Sequence, residues 1–298
     1  MKAFLRPLLL AVSLSGAAAF SETKTPAEQL GWSLAIHSYT FQKFSIFEAI
    51  DKTAALGVTH MSISGNVNLP DGTGKFVKSP TIELSAEQAA AITGKMREKG
   101  IDPVFANMGV VKPGLDEAQS RKIFEGAKRL GVTVLVAEPE VHDNMAELGP
   151  VMDVVEKLAV EYNIKVAIHN HPGPKNFYWK PETVAAAIKG RSPLLGACAD
   201  VGHWVRSGLD PVECLRKFEG RVITLHFKDL NETGLTAHDL PWGTGISNVR
   251  GMLVELKRQK FKGTFCVEYE FNWENSSLEI AQSVAWFNRT CAELVAAK

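Results

Sequence analysis

Residues 128–138, "KRLGVTVLVAE", carry the fold in miniature. Lys128 and Arg129 suit the last turn of a helix, where cations meet the negative end of its dipole. Gly131 follows where a helix closes in the left-handed conformation, which glycine adopts at little cost. Val132 to Ala137 then run almost without polar interruption, the mark of a strand covered on both faces in a parallel sheet. The run stops at a carboxylate, Glu138.

The same unit recurs along the chain as "AALGVTHMSIS" (54–64), "REKGIDPVFANM" (97–108), "EYNIKVAIHNH" (161–171), "GRSPLLGACAD" (190–200), "FEGRVITLHFKD" (218–229) and "KFKGTFCVEYE" (260–270). Gly57, Gly100, Gly131, Gly220 and Gly263 all occupy the helix-closing position. "GWSLAIHSYTF" (31–41) supplies a first strand with no helix before it, which makes eight. Helices are predicted between the strands: Ser85 caps one, Asp116 caps another, and 149–162 has apolar residues at helical spacing. Eight such units predict a single (β/α)8 TIM barrel over residues 28–298. No glycine-rich phosphate fingerprint follows the first strand, which argues against an open doubly wound sheet. Residues 65–84 are expected to be a long irregular loop at the rim.

The N-terminus, "MKAFLRPLLLAVSLSGAAAF", has Lys2 and Arg6, a short apolar run, then Ala17 and Ala19 in the relation that signal peptidase reads. Residues 1–19 are therefore expected to be a signal peptide, and the mature chain periplasmic or secreted, with no membrane contact beyond export. The 33 basic and 33 acidic residues balance, so no basic excess is available to hold a nucleic acid. Cys198 and Cys266 lie in apolar runs and read as buried thiols; a Cys214–Cys291 bridge stays open.

In a barrel, side chains at the C-terminal ends of strands converge on one mouth. Here those ends offer His37, Glu138, His169, His171, Asp200, His226 and Glu268, with His203, Lys228 and Glu270 just beyond. Taken singly, a strand-end histidine is ordinarily a structural hydrogen-bonding group and a glutamate a cap or a solvated rim charge. Converging imidazoles and carboxylates, however, repel or desolvate one another unless a cation holds them. A divalent metal with mixed oxygen and nitrogen ligands answers this, Mn2+ first, with Zn2+ or Co2+ as alternatives.

"CADVGHW" (198–204), "LHFKD" (225–229) and "VEYE" (267–270), set on this repeat, resemble the xylose isomerase-like TIM barrels, which include sugar epimerases, inosose dehydratases and apurinic endonucleases. The resemblance covers nearly all of the mature chain. It implies metal ligation by Asp200, His226 and Glu268, with His203 nearby. In the epimerases a glutamate on strand 5 binds metal and acts as a base; here that position is His169. Either His169 replaces it or Glu138 supplies the fourth ligand, and the resemblance to inosose dehydratases favours Glu138.

The function expected is a metal-dependent sugar isomerase or epimerase that abstracts a proton next to a carbonyl of a sugar or keto-sugar. The alternative is a keto-sugar dehydratase or lyase, on a 3-keto-glycoside or inosose-like substrate. His169 and His171 would then serve as the acid/base pair, and Lys228 would stabilise the oxyanion. His37, His203, His238, Trp242 and Glu270 are the expected substrate contacts, with Tyr178 and Trp179 as further aromatic candidates. A small carbohydrate is the expected partner. A DNA-repair enzyme fits the charge balance poorly, and a non-catalytic sugar-binding barrel would not need the full ligand set.

Overall fold

The computed structural model describes residues 24–102, 107–142 and 145–297; the expected signal segment lies outside them. Eight parallel strands close into a barrel: β1 (Trp32–His37), β2 (Met61–Ser64), β3 (Asn107–Val111), β4 (Val134–Ala137), β5 (Lys165–His169), β6 (Leu195–Asp200), β7 (Val222–Phe227) and β8 (Gly263–Val267). Each pairs with its sequence neighbours, and β8 pairs back onto β1. Eight predicted strands are thus eight observed strands, in order.

Helices α1 (Ile46–Ala55), α2 (Ala86–Glu98), α3 (Glu117–Leu130), α4 (Met145–Tyr162), α5 (Pro181–Ile188), α6 (Pro211–Arg216), α7 (Val249–Arg258) and α8 (Ser277–Ala296) cover the outside. Ser85 and Asp116 cap α2 and α3 as expected, Ser85 in a reciprocal box with Gln88. The main apolar core lies between these helices and the strands, while Val136, Ala167 and Cys198 form a separate small cluster. Side chains alternate along a strand. Glu138, His169 and Asp200 therefore stand directly above Val136, Ala167 and Cys198, on the barrel's inner side.

Several expectations are corrected. Residues 66–80 are not an irregular loop but an antiparallel hairpin, Asn66–Pro70 against Phe76–Pro80. Its turn is organised by Asp71, whose carboxylate accepts from the Thr73 and Lys75 amides at 2.8 and 3.1 Å. Gly57, Gly100, Gly131 and Gly220 have positive φ, but Gly263 does not; Lys260 takes that conformation instead, at φ 55°. Gly263 lies in β8, where a Cβ would meet the Ile223 carbonyl oxygen at 2.5 Å, so its need is close approach. A short helix, Pro26–Leu30, does precede β1, started by a Thr25–Glu28 capping box. All four cysteines are buried and unpaired, so Cys214 and Cys291 form no bridge.

Candidate active site

Register assembles the mouth. Asp200 pairs with His226 across β6 and β7, and Cys266 with His226 across β7 and β8. Glu268, two residues beyond Cys266, therefore rises beside His226. His169 ends β5, and His171 shares its face, the two rings lying 4.8 Å apart. Asn170, between them, points the other way. It clamps β6 by donating to the Asp200 carbonyl oxygen at 2.9 Å and accepting from the Asp200 amide at 3.0 Å.

One carboxylate orients both histidines. Glu138 Oε1 accepts from His169 Nδ1 at 2.9 Å and also from His171 Nδ1. Burial opposes ionisation of Glu138, but its hydrogen bonds to His169 and His171 prevail and hold it at about 2. An ionised carboxylate only accepts, so both Nδ1 atoms carry hydrogen and both Nε2 atoms face away from Glu138. His169 Nε2 is buried and without a hydrogen bond, as are both ring nitrogens of His226 and Glu268 Oε2. These orphaned atoms share one small space. The ligand atoms of His169, Asp200, His226 and Glu268 all lie within 4.8 Å of one another.

The unpartnered ring nitrogens of His169 and His226, beside carboxylate oxygens of Asp200 and Glu268, suit a divalent transition metal. Glu138, preferred as fourth ligand, falls in a second group that could hold an ion, with His169 and His171, while the four-residue group contains His169 in that place. Glu138 sits behind it, the carboxylate–histidine arrangement that fixes a ligand's tautomer.

The carboxylates are balanced by buried cations. Lys228 Nζ lies 2.8 Å from Asp200 Oδ2, 2.7 Å from Glu268 Oε2 and 3.0 Å from Glu270 Oε2. Burial opposes its charge, yet Asp200, Glu268 and Glu270 keep its pKa far above the usual lysine range. The expected oxyanion role of Lys228 is corrected, because its side chain is fully buried and spent on these three carboxylates. Gly202 makes room for it: a Cβ there would lie 2.8 Å from the Lys228 side chain. For His169, burial works against the charged ring, but the Asp200 and Glu138 carboxylates on either side of it raise it to about 10.

Two more histidines have tautomers set by their neighbours. Asn107 donates through Nδ2 to Thr224 and Cys266, so its Oδ1 accepts from Ser62, whose oxygen is then left to accept from His37 Nδ1 at 2.7 Å. Burial foremost, with the neighbouring His226 ring second, lowers His37 to about 3. His37 is thus neutral, with the Nε2 lone pair turned toward Glu268 Oε1, 3.7 Å away. His203 is the reverse case. Arg206 Nη1 donates to its Nδ1 at 3.1 Å, so His203 Nε2 carries the hydrogen. The mouth thereby offers an acceptor, His37, and a donor, His203.

The mouth is lined by His37, His169, His171, His203, Glu268 and Glu270, which places six expected residues at one surface. Asp200 and His226 lie beneath it, fully buried. His238 stands at the rim, its ring 4.3 Å from Phe271, outside that lining. Trp242 is a correction: it is 2% exposed, packed against Phe227 and Phe287, and presents no face to a ligand. Tyr178 is likewise buried, donating to the Pro139 carbonyl oxygen, while Trp179 is half-buried.

Arg206 and Asn170 were not foreseen. Arg206 reaches His203, Glu270 at 2.6 Å and Asp239 at 3.3 Å. Its signal was available: Arg206 follows His203 by three residues on one helix, so the two share a face. Tyr39 and Trp273, in edge contact at 5.6 Å, are rim aromatics that sequence reasoning also missed.

A model of the xylose isomerase-like TIM barrel family matches residues 50–290. The solved structure of an uncharacterized protein from Parabacteroides distasonis is 34% identical, with a TM-score of 0.66 over 87% of this chain and 99% of that one. A D-tagatose 3-epimerase-like protein (18% identical, TM-score 0.65, 88% of this chain and 99% of that one) shares the fold. So does a probable 3-DHS dehydratase from Bacillus anthracis (13%, TM-score 0.64, 85% and 98%). An inosose dehydratase from Clostridium tetani is 29% identical over 157 residues, 52% of this chain. The chain covers only 41% of that relative's length.

Proposed function

Because the chain belongs to the xylose isomerase-like TIM barrel family, we propose that it is a divalent-metal-dependent dehydratase or lyase acting on a keto-sugar, such as a 3-keto-glycoside or an inosose-like ring. The observation that carries this reading is the Glu138 fork, which gives the two histidines different tasks. His169 offers its inward Nε2 to the ion. His171, whose side chain is 40% exposed, offers the matching atom to the mouth.

The ion, Mn2+ in the first instance, would be held by His169, Asp200, His226 and Glu268 and would supply Lewis acidity toward a substrate oxygen next to the reacting carbon. His171 Nε2 takes the proton from the carbon adjacent to the carbonyl. The C–H electrons form the carbon–carbon double bond as the bond to the β-oxygen breaks, and His171 returns its proton to that oxygen, releasing water or an alcohol. His203 donates to a ring oxygen and His37 accepts from a hydroxyl, which orients the ring. Glu138 keeps His171 in the tautomer that can accept a proton.

Epimerisation needs a base on each face of the substrate, and β5 lacks the second carboxylate. The name of the Clostridium tetani relative also supports elimination. The N-terminal signal pattern supports an exported protein, a location that a glycoside breakdown product would fit as substrate.

Proton NMR in D2O with Mn2+-loaded protein, followed by quenching and metal removal, tests the proposal on 3-keto-glycosides and inososes. Loss of water or of the aglycone is expected, and it should vanish in His171→Gln while metal binding persists. Deuterium incorporation with every substituent retained would overturn elimination in favour of isomerisation or epimerisation.

A further inference from the structure

The mouth has a neighbour. Between the turn after β1 and the hairpin 66–80 lies a cavity of about 220 Å3, with Gln42, Phe44, Asn66 and Lys78 in its wall. The mouth itself is a chamber of about 220 Å3. Tyr39 and Ser64 line both, so the two chambers share a wall of two side chains.

The cavity is preformed. Asn68, on the hairpin, donates through Nδ2 to the carbonyl oxygens of Gln42 at 2.8 Å and Phe44 at 3.1 Å, which staples the hairpin across the cavity floor. The Ser64 amide donates to Ser38 Oγ at 2.8 Å and fixes the shared wall. Tyr39 is braced edge-on by Trp273. Neither chamber alone reaches the roughly 300 Å3 at which ligand pockets begin, whereas the pair does.

We propose that this cavity is a second subsite that takes a further pyranose ring, so that the substrate is a disaccharide-sized glycoside with its reacting ring in the mouth. The inference rests on the carbohydrate reading above and adds the size of the substrate. The wall chemistry selects a sugar over a purely apolar group: Tyr39 and Phe44 bring aromatic carbon for C–H surfaces, and Gln42, Asn66 and Lys78 bring hydrogen-bonding groups for hydroxyls. Gln42, Phe44, Asn66 and Lys78 lie outside the lining of the mouth that holds His169 and Glu268.

Calorimetric titration of the metal-loaded chain with unreactive probes tests this. Cellobiose, methyl β-glucoside and 4-nitrophenyl β-glucoside supply a second sugar, no second ring and an aromatic ring. Cellobiose is expected to bind about tenfold more tightly than methyl β-glucoside. Asn66→Trp, which fills the cavity from an exposed hairpin position, should remove that margin and leave methyl β-glucoside within about twofold. Lys78→Ala, at an exposed site that cannot unfold the barrel, should narrow the margin in the same direction. Equal binding of cellobiose and methyl β-glucoside would overturn the second subsite alone. Preference for the nitrophenyl probe over cellobiose would overturn the sugar assignment of that subsite. Binding of none of the three would overturn the carbohydrate reading beneath it.

Discussion

Glu138→Gln separates the two ways in which Glu138 can serve a metal. In the structure the carboxylate accepts from His169 Nδ1 at 2.9 Å and stands behind the histidine. Gln keeps the shape and an accepting oxygen but removes the charge. A hydrogen bond to a charged group is worth about 1.5–3 kcal/mol against about 0.5–1.5 kcal/mol for a neutral one. The loss behind His169 is therefore about 1–1.5 kcal/mol, or roughly tenfold in metal affinity, at the lower edge of the roughly 10–100-fold typical of such outer partners. A direct ligand is worth more. About 10–16 kcal/mol spread over four ligands gives roughly 3–4 kcal/mol each, a loss of a few hundredfold. Competition of Mn2+ or Zn2+ against a fluorescent chelator measures the difference, with His169→Ala as the direct-ligand reference. X-ray absorption on the bound metal should count two imidazoles, from His169 and His226. A few-hundredfold loss in Glu138→Gln, or a single imidazole, would refute the assignment of His169 to the ion.

Lys228→Met should destabilise the metal-free protein by about 3–5 kcal/mol in denaturant unfolding, because it strands Asp200 and Glu268 without their buried counter-ion; an unchanged midpoint would show that the carboxylates are neutralised otherwise. Trp242→Ala should cost about 3–5 kcal/mol of stability as a core truncation, while the folded fraction keeps its KM; a raised KM would restore Trp242 to the substrate surface. On α7, hydrogen bonds from Arg258 foremost hold Glu255 at about 2, below its ordinary 4.5. Its contribution is thus present above pH 4.5 and lost as pH falls from 4.5 toward 2. Glu255→Gln should lower stability by about 1–2 kcal/mol at pH 7, where half-exposed Arg258 limits the gain, and by almost nothing near pH 2; a pH-independent difference would point to packing instead.

The barrel was legible because its signal is local and repeated: a helix end, a glycine, an apolar run. The hairpin 66–80 was not, because most of its residues face solvent, its first strand is only five residues long, and its second, Phe76–Pro80, lacks the apolar alternation that marks a buried sheet face. The site was half legible. Strand ends name the residues that can meet, so His37, His169, Asp200, His226 and Glu268 could be picked out. Which of them touch is set by register and by reach across neighbouring strands. Nothing local in "VAE" tells a ligand from the carboxylate behind one, so the choice between Glu138 and His169 was not legible there. The aromatics failed similarly. Trp242 and Trp273 both lie in glycine- or asparagine-bearing loops beyond a barrel strand, yet one packs inward against Phe287 and the other lies at the rim.

Charge explains why His169 can stand where epimerases place glutamate. Around the mouth, Glu138, Asp200, Glu268 and Glu270 face Lys228 and Arg206, which leaves an excess of two negative charges when His169 is neutral; Asp239, pushed up to about 7 by burial, adds at most part of another. A divalent cation restores balance, and a fifth carboxylate on β5 would spoil it again. Until the ion binds, the excess falls on the one ring enclosed between Asp200 and Glu138, whose pKa is raised to about 10. That ring must lose a proton for its Nε2 to become a ligand. With Nδ1–H kept by Glu138, the proton to leave would be the one on the ion's side, so the same carboxylate that favours protonation in the free protein would also dictate which nitrogen is bared for an ion.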